Sequence, residues 1–202
     1  TKLYTTLSND FVYKDPGRNV IFLDNHDMTR FFSTVNEDVE KHKMGLAWLL
    51  TCRGIPQLYY GTEIVMKGIS NPDGWVRLDF PGGWNGDTKN AFTGEGLTAT
   101  EKEVQQYTRL LGVFRKNSTA LQTGKLMQYL PADGLYVYFR YDATQTVMCV
   151  MNTSDKEKSV QFSQFDERTK GFTKGKEVTS GQIVGDQFTI PAKKMWVIAL
   201  NR

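Results

Sequence analysis

Residues 20–30 read VIFLDNHDMTR, in which four apolar residues lead directly into Asp24, Asn25, His26 and Asp27, with Arg30 three places on. Two carboxylates, an amide and one of the chain's two histidines are gathered at the end of what reads as a buried strand. Three kinds of chemistry fit that set. The side chains can satisfy local backbone groups and cap the helix that follows. His26 and Asp27 can ligate a cation, although a metal needs further ligands and the only other imidazole is His42. Or the acids and the imidazole can serve a carbohydrate or acid–base site, accepting hydrogen bonds from hydroxyl groups or moving protons.

Any of these requires elements that bring the residues to one edge. NVIFLDN (19–25) reads as a continuously buried strand, because its apolar residues are adjacent rather than alternating. NEDVEKHKMGLAWLLTC (36–52) reads as an amphipathic helix, acidic in its first turn, apolar at Val39, Met44, Ala47 and Leu50, and stopped by Gly54. IPQLYY (55–60) is a second short buried strand. The loop from Gly61 to Ala99 far exceeds the usual connection of about 4–6 residues, and loops of that length usually carry function. Thr100 and Glu103 form a T-x-x-E capping box ahead of a helix whose Val104, Tyr107, Leu110, Leu111 and Phe114 make one apolar face.

Strand, helix, strand, loop and helix follow the rhythm of βα units on a parallel sheet. In a closed α/β barrel the C-terminal ends of the strands face the open mouth, which suits the greasy-then-polar order of VIFLDNHD. The period of two along a strand lets only alternate residues of the cluster point inward unless the strand bends at its end.

From about Lys125 the pattern changes. LMQYL, LYVYFRY, TVMCVMN, KSVQF, QFTI and KMWVIAL are short strands separated by turn residues, with no helix between them. The fold class is therefore α/β plus all-β: residues 1–120 as the α/β part and 121–202 as a small antiparallel β-sandwich.

The 25 Lys and Arg against 22 Asp and Glu are interspersed, giving +3 and no basic stripe, so no nucleic-acid partner is expected. Cys52 and Cys149 lie far apart outside any C-x-x-C spacing and read as two buried free thiols. No apolar run approaches the roughly 20 residues that span a bilayer. Thr1-Lys2-Leu3 opens neither with Met nor as a signal peptide, so we expect the chain to be cut from something longer.

Two segments carry a family resemblance. FLDNHDMTR resembles the F-x-x-N/S-H-D-x-x-R motif of the alpha-amylase family, glycoside hydrolase family thirteen, which ends the seventh strand of a (β/α)8 TIM barrel. GIPQLYYGTEI, one helix later, is similar to the G-x-P-x-x-Y-x-G-x-E segment on that family's eighth strand, and DGWVRLDFPGGW is similar to its neopullulanases and cyclomaltodextrinases. The resemblance implies the last two βα units of the TIM barrel followed by the family's C-terminal domain.

It also implies a retaining glycosidase acting on alpha-glucans, with a nucleophile and an acid/base about 5 Å apart. Those two groups sit on the family's fourth and fifth strands, so this segment alone is expected to be inactive. Asp27 matches the third family carboxylate, a transition-state stabiliser that binds hydroxyls of the sugar at the scissile bond, and His26 matches the histidine donating to the same sugar. Asp73 and Arg77 match a pair that binds the next sugar outward. Arg30 and Glu63 read as structural, and Thr62 departs from the acidic residue common at its place.

Trp75 and Trp84 are either sugar-stacking platforms or part of the loop's own small core, to which Phe80 and Phe92 are assigned. No cofactor is expected in this segment, and the family's calcium sites lie mostly elsewhere in the complete protein. Expected partners are an alpha-glucan oligosaccharide or polysaccharide and the rest of the barrel, whose open strand edges invite oligomerisation. A periplasmic or secreted setting suits a polysaccharide degrader. The competing readings are a non-catalytic glucan-binding module and an unrelated hydrolase on a barrel fold.

Overall fold

Helix α1 (Lys2–Ser8) precedes strand β1 (Val20–Phe22), in the computed structural model, which describes residues 2–201. Next come the single turn α2 (Phe31–Thr34), helix α3 (Val39–Thr51) and strand β2 (Ile55–Gln57). β1 and β2 pair in parallel, Val20 beside Ile55 and Phe22 beside Gln57. Both strands are shorter than their apolar runs, and Val20, Phe22 and Ile55 are exposed rather than buried as the runs suggested. The cause is topological: the two strands form a two-stranded sheet of their own.

α3 begins later than residue 36. Asn36 and Glu37 both adopt φ of 58°, which cannot continue a right-handed helix, and Asp38 takes the cap, accepting from the amides of Glu40 and Lys41. Its C-terminus is closed from outside. Arg115 donates to the carbonyls of Leu50, Cys52 and Gly54, and Arg140 donates to that of Thr51.

Helix α4 (Ala99–Lys116) is capped two residues earlier than expected. Thr98 and Glu101 form the reciprocal box, while Glu103 instead pairs with Lys43 of α3 at 2.8 Å. The segment TATEKE offers the T-x-x-E spacing in two registers, and spacing cannot choose between them. Burial of Leu97 against Ile64 and Ala91, immediately before the cap, fixes where the chain turns into the helix.

Helix α5 (Thr119–Gln122) leads into the β-rich part: β3 (Lys125–Gln128), β4 (Leu135–Tyr141), β5 (Thr146–Asn152), β6 (Lys158–Gln161), helix α6 (Asp166–Thr169), β7 (Lys174–Glu177), β8 (Ile183–Gly185), β9 (Gln187–Ile190) and β10 (Lys194–Asn201). Six strands form an antiparallel sheet in the order β3-β4-β5-β10-β7-β8, and β6 pairs with β9 separately. The single-turn helix α6 corrects the expectation of a helix-free region. β7 was illegible because its sequence, KGKE, holds no apolar residue; it exists by pairing with β10.

β4 and β5 are buried at nearly every position, because the sheet is covered on both faces. Tyr136, Tyr138, Val147, Cys149 and Val197 pack against Met44, Ala47 and Leu50 of α3 and Leu111 of α4. The alternate residues Val137, Phe139, Met148, Val150 and Ile198 meet Val160, Phe188 and Ile190 from the β6–β9 pair. Cys52 and Cys149 are free and buried. No helix among the described residues is long and apolar enough to cross a membrane.

Candidate active site

The polar cluster after β1 divides into a buried half and an exposed half. Asp24 is buried, and its carboxylate accepts from the Phe31 amide at 2.8 Å and from the Thr62 hydroxyl at 2.9 Å. The Thr62 carbonyl in turn receives Nε2 of His42 at 2.8 Å; a carbonyl only accepts, so Nε2 carries the proton. Rings of Phe31 and Phe32 enclose that imidazole at 5.3 and 5.2 Å, and its burial lowers its pKa. Asp24 is thus frame, tying the end of β1 to the turn after β2.

His26 and Asp27 face outward, with side chains 63% and 65% exposed. Asn25 shapes this turn by accepting the Asp27 amide at 2.9 Å. Nε2 of His26 stands 3.4 Å from Oδ1 of Asp27. Across from them, the turn Gly74–Arg77 closes on a 2.8 Å backbone bond and directs Arg77 back at the rim. The Arg77 guanidinium reaches three partners: its Nε donates to the His26 carbonyl at 2.9 Å, and its terminal nitrogens lie 3.3 Å from Asp27 and 3.2 Å from Asp73. The four residues singled out in two distant segments therefore form one cluster at the strand ends.

Beneath the cluster, Arg30 is fully buried and donates to the Tyr60 carbonyl. Its guanidinium lies 4.1 Å from the Tyr59 ring centre and 4.6 Å from that of Tyr60. Glu63 is half-buried, and burial raises its pKa. Sequence reasoning passed over Thr62, Tyr59 and Tyr60 as parts of this site. The two adjacent tyrosines ending an apolar strand were the available signal, since buried tyrosine rings ordinarily bring their hydroxyls to a partner.

The loop aromatics depart in part from expectation. Phe80 packs against Ile64, Ala91 and Leu97, but Phe92 touches only one edge of Phe80 at 5.1 Å and is 74% exposed, so it is no core residue. Trp75 and Trp84 are 59% and 66% exposed. Among the described residues no three His, Cys, Asp or Glu side chains converge as a metal-binding group.

This arrangement can accept and donate hydrogen bonds to a polyhydroxylated ligand from a fixed set of charged groups. The profile described as "Alpha amylase, catalytic domain" matches residues 1–109. The chain belongs to the alpha-amylase family. A second profile, "Cyclo-malto-dextrinase C-terminal domain", matches residues 126–199.

Among relatives in this family, the cyclomaltodextrin glucanotransferase of Geobacillus stearothermophilus is 34% identical over 142 residues, covering 70% of this chain and 17% of the relative. The structure of the Geobacillus thermoleovorans alpha-amylase, complexed with acarbose, superposes with a TM-score of 0.77 and 23% identity over 99% of this chain and 43% of that one. A cyclomaltodextrin glucanotransferase with a three-domain ABC distribution gives 0.74 and 24% over 100% and 40%. The chain thus spans less than half the length of each of these alpha-amylase family relatives.

Proposed function

We propose that this chain is the C-terminal portion of a retaining alpha-amylase family enzyme that cleaves alpha-glucosidic bonds, and that Asp27 stabilises its transition state. The division falls near residue 120, between the end of the barrel and the β-rich domain. The observation that carries the reading is the three-way contact of Arg77 with Asp27, Asp73 and the His26 carbonyl on an exposed rim. A guanidinium held between two carboxylates presents a fixed fork of donors to vicinal hydroxyls, while the carboxylates accept from neighbouring ones.

In this mechanism Asp27 and His26 hold hydroxyls of the sugar at the scissile bond. The hydrogen bonds to Asp27 strengthen as the ring gains positive charge, so they lower the barrier rather than tighten the ground state. Arg77 and Asp73 bind the next sugar, whose charge does not change, and contribute binding equal in both states. The nucleophile and acid/base belong to the preceding strands of the complete enzyme, and the 202-residue chain alone releases no reducing sugar from starch. Whether water or a second sugar hydroxyl takes the glycosyl group separates a neopullulanase or cyclomaltodextrinase from the glucanotransferases to which the chain is related.

The test is Asp27→Asn in the complete enzyme, assayed on soluble starch. kcat falls by roughly a hundredfold or more with KM little changed. Retention of kcat removes Asp27 from the chemistry. It would leave the exposed Trp75, Trp84 and Phe92 as the basis of a non-catalytic glucan-binding module instead.

A further inference from the structure

We infer that Tyr59 and Tyr60 are positioning residues that set Arg77 against Asp27, with Arg30 holding the two rings to that task; this rests on the proposed role of the rim cluster in binding sugar. Arg77 stands in the long irregular loop, inside no strand or helix that could define its place. Its two neighbours are nevertheless pinned. The Tyr59 hydroxyl donates to the carbonyl of Val76 at 3.2 Å, and the Tyr60 hydroxyl donates to that of Leu78 at 2.9 Å.

Those two carbonyls bracket Arg77 in the chain. Val76 is fully buried, so packing supports the hydroxyl bond on that side. Leu78 is exposed, and there the bond to Tyr60 is the polar tie between loop and strand. A tyrosine is a stiff rod with two side-chain torsions, so a ring fixed at the end of β2 sets the position of a carbonyl at its far end.

The rings are themselves fixed. They meet edge to face at 4.6 Å, and the buried guanidinium of Arg30 packs over both while donating to the Tyr60 carbonyl. Burial, then the contact with Tyr60, raises the pKa of the Tyr59 hydroxyl. A continuous path of contacts thus runs from Arg30 through the tyrosines and the loop backbone to Arg77, and from there to Asp27. Both motifs meet in it: Arg30 ends the first, and the tyrosines lie in the second.

The test is the double variant Tyr59→Phe/Tyr60→Phe in the complete enzyme, which keeps both rings under Arg30 and deletes only the hydroxyls. With p-nitrophenyl α-maltoside, whose two sugars reach Arg77, KM rises about tenfold while kcat stays within about threefold, each lost hydroxyl bond contributing about half of that on a logarithmic scale. Asp27→Asn gives the opposite split, a fall in kcat at nearly constant KM. Arg30→Lys, which keeps the charge but loses the flat face over the rings, gives the KM signature again.

If the double variant fails to fold, the single Phe variants each raise KM about threefold. Unchanged KM in folded Phe variants, with kcat abolished in Asp27→Asn, overturns the positioning role alone. Unchanged kcat in Asp27→Asn overturns the reading of the site on which it rests.

Discussion

Replacing Asp24 by Ala tests the division of the polar cluster into frame and rim. The carboxylate is buried and receives the Phe31 amide at 2.8 Å and the Thr62 hydroxyl at 2.9 Å. Alanine strands both donors beneath the rim, at about 1–3 kcal/mol each, and relief of carboxylate desolvation returns part of that. The expected loss is about 3 kcal/mol, large for one substitution. Asp24→Asn keeps one acceptor and turns an amide toward Thr62, whose hydroxyl can rotate to accept it, so it costs roughly 1 kcal/mol.

Urea denaturation followed by circular dichroism gives the two values, and amide hydrogen exchange at Phe31 reports the local break. A double-mutant cycle with Thr62→Val isolates the Asp24–Thr62 contact, with a coupling of about 1 kcal/mol. Stability of Asp24→Ala within about 0.5 kcal/mol of the parent, with Phe31 exchange unchanged, refutes the frame role. In the complete enzyme the same variant lowers kcat on starch, because the turn that carries His26 and Asp27 loses its anchor at Phe31.

Three other outcomes follow from the structure. Thr98→Ala costs about 1 kcal/mol in the same denaturation assay, and Thr100→Ala stays within about 0.5 kcal/mol, because only Thr98 caps α4. Burial pushes the thiols of Cys52 and Cys149 up to about 11 and about 12; the unfolded chain therefore loses these protons first, and stability falls as pH rises above the ordinary thiol value of 9.0. Iodoacetamide labelling at pH 8 should accordingly reach both only after unfolding. Burial lowers the pKa of His42, so the unfolded chain takes up its proton first as pH falls below 6.5, and Tm drops on that side; His42→Gln flattens this limb.

What could be read in the sequence was local and strongly patterned. The helix through Met44, Ala47 and Leu50 and six of the β-rich strands lie where apolar periodicity put them, and His26, Asp27, Asp73 and Arg77, singled out by resemblance, fall in one cluster. Features decided by partners far along the chain were not legible. β7 depends on β10, the exposure of Val20 and Ile55 depends on strand neighbours, and the capping register of α4 depends on where Leu97 is buried. Asp24 and Asp27 are the same residue type three positions apart, and what separates them is that Asp24 is buried and bonded to the Phe31 amide and to Thr62, 38 residues further on.

α3 explains why the β-rich part bears on a rim it does not touch. One face of this helix carries Met44, Ala47 and Leu50 into the core shared with β4, β5 and β10. The other carries Leu46 toward Leu23 and Phe32, and His42 to the Thr62 carbonyl that stands beside Asp24. Arg140 of β4 and Arg115 of α4 close its last turn, where carbonyls would otherwise lack partners. The sheet therefore fixes the helix, the helix fixes Thr62, and Thr62 with Asp24 fixes the turn that presents Asp27. Loosening the sheet's hold on α3 reaches the rim through that sequence of packing and hydrogen bonds.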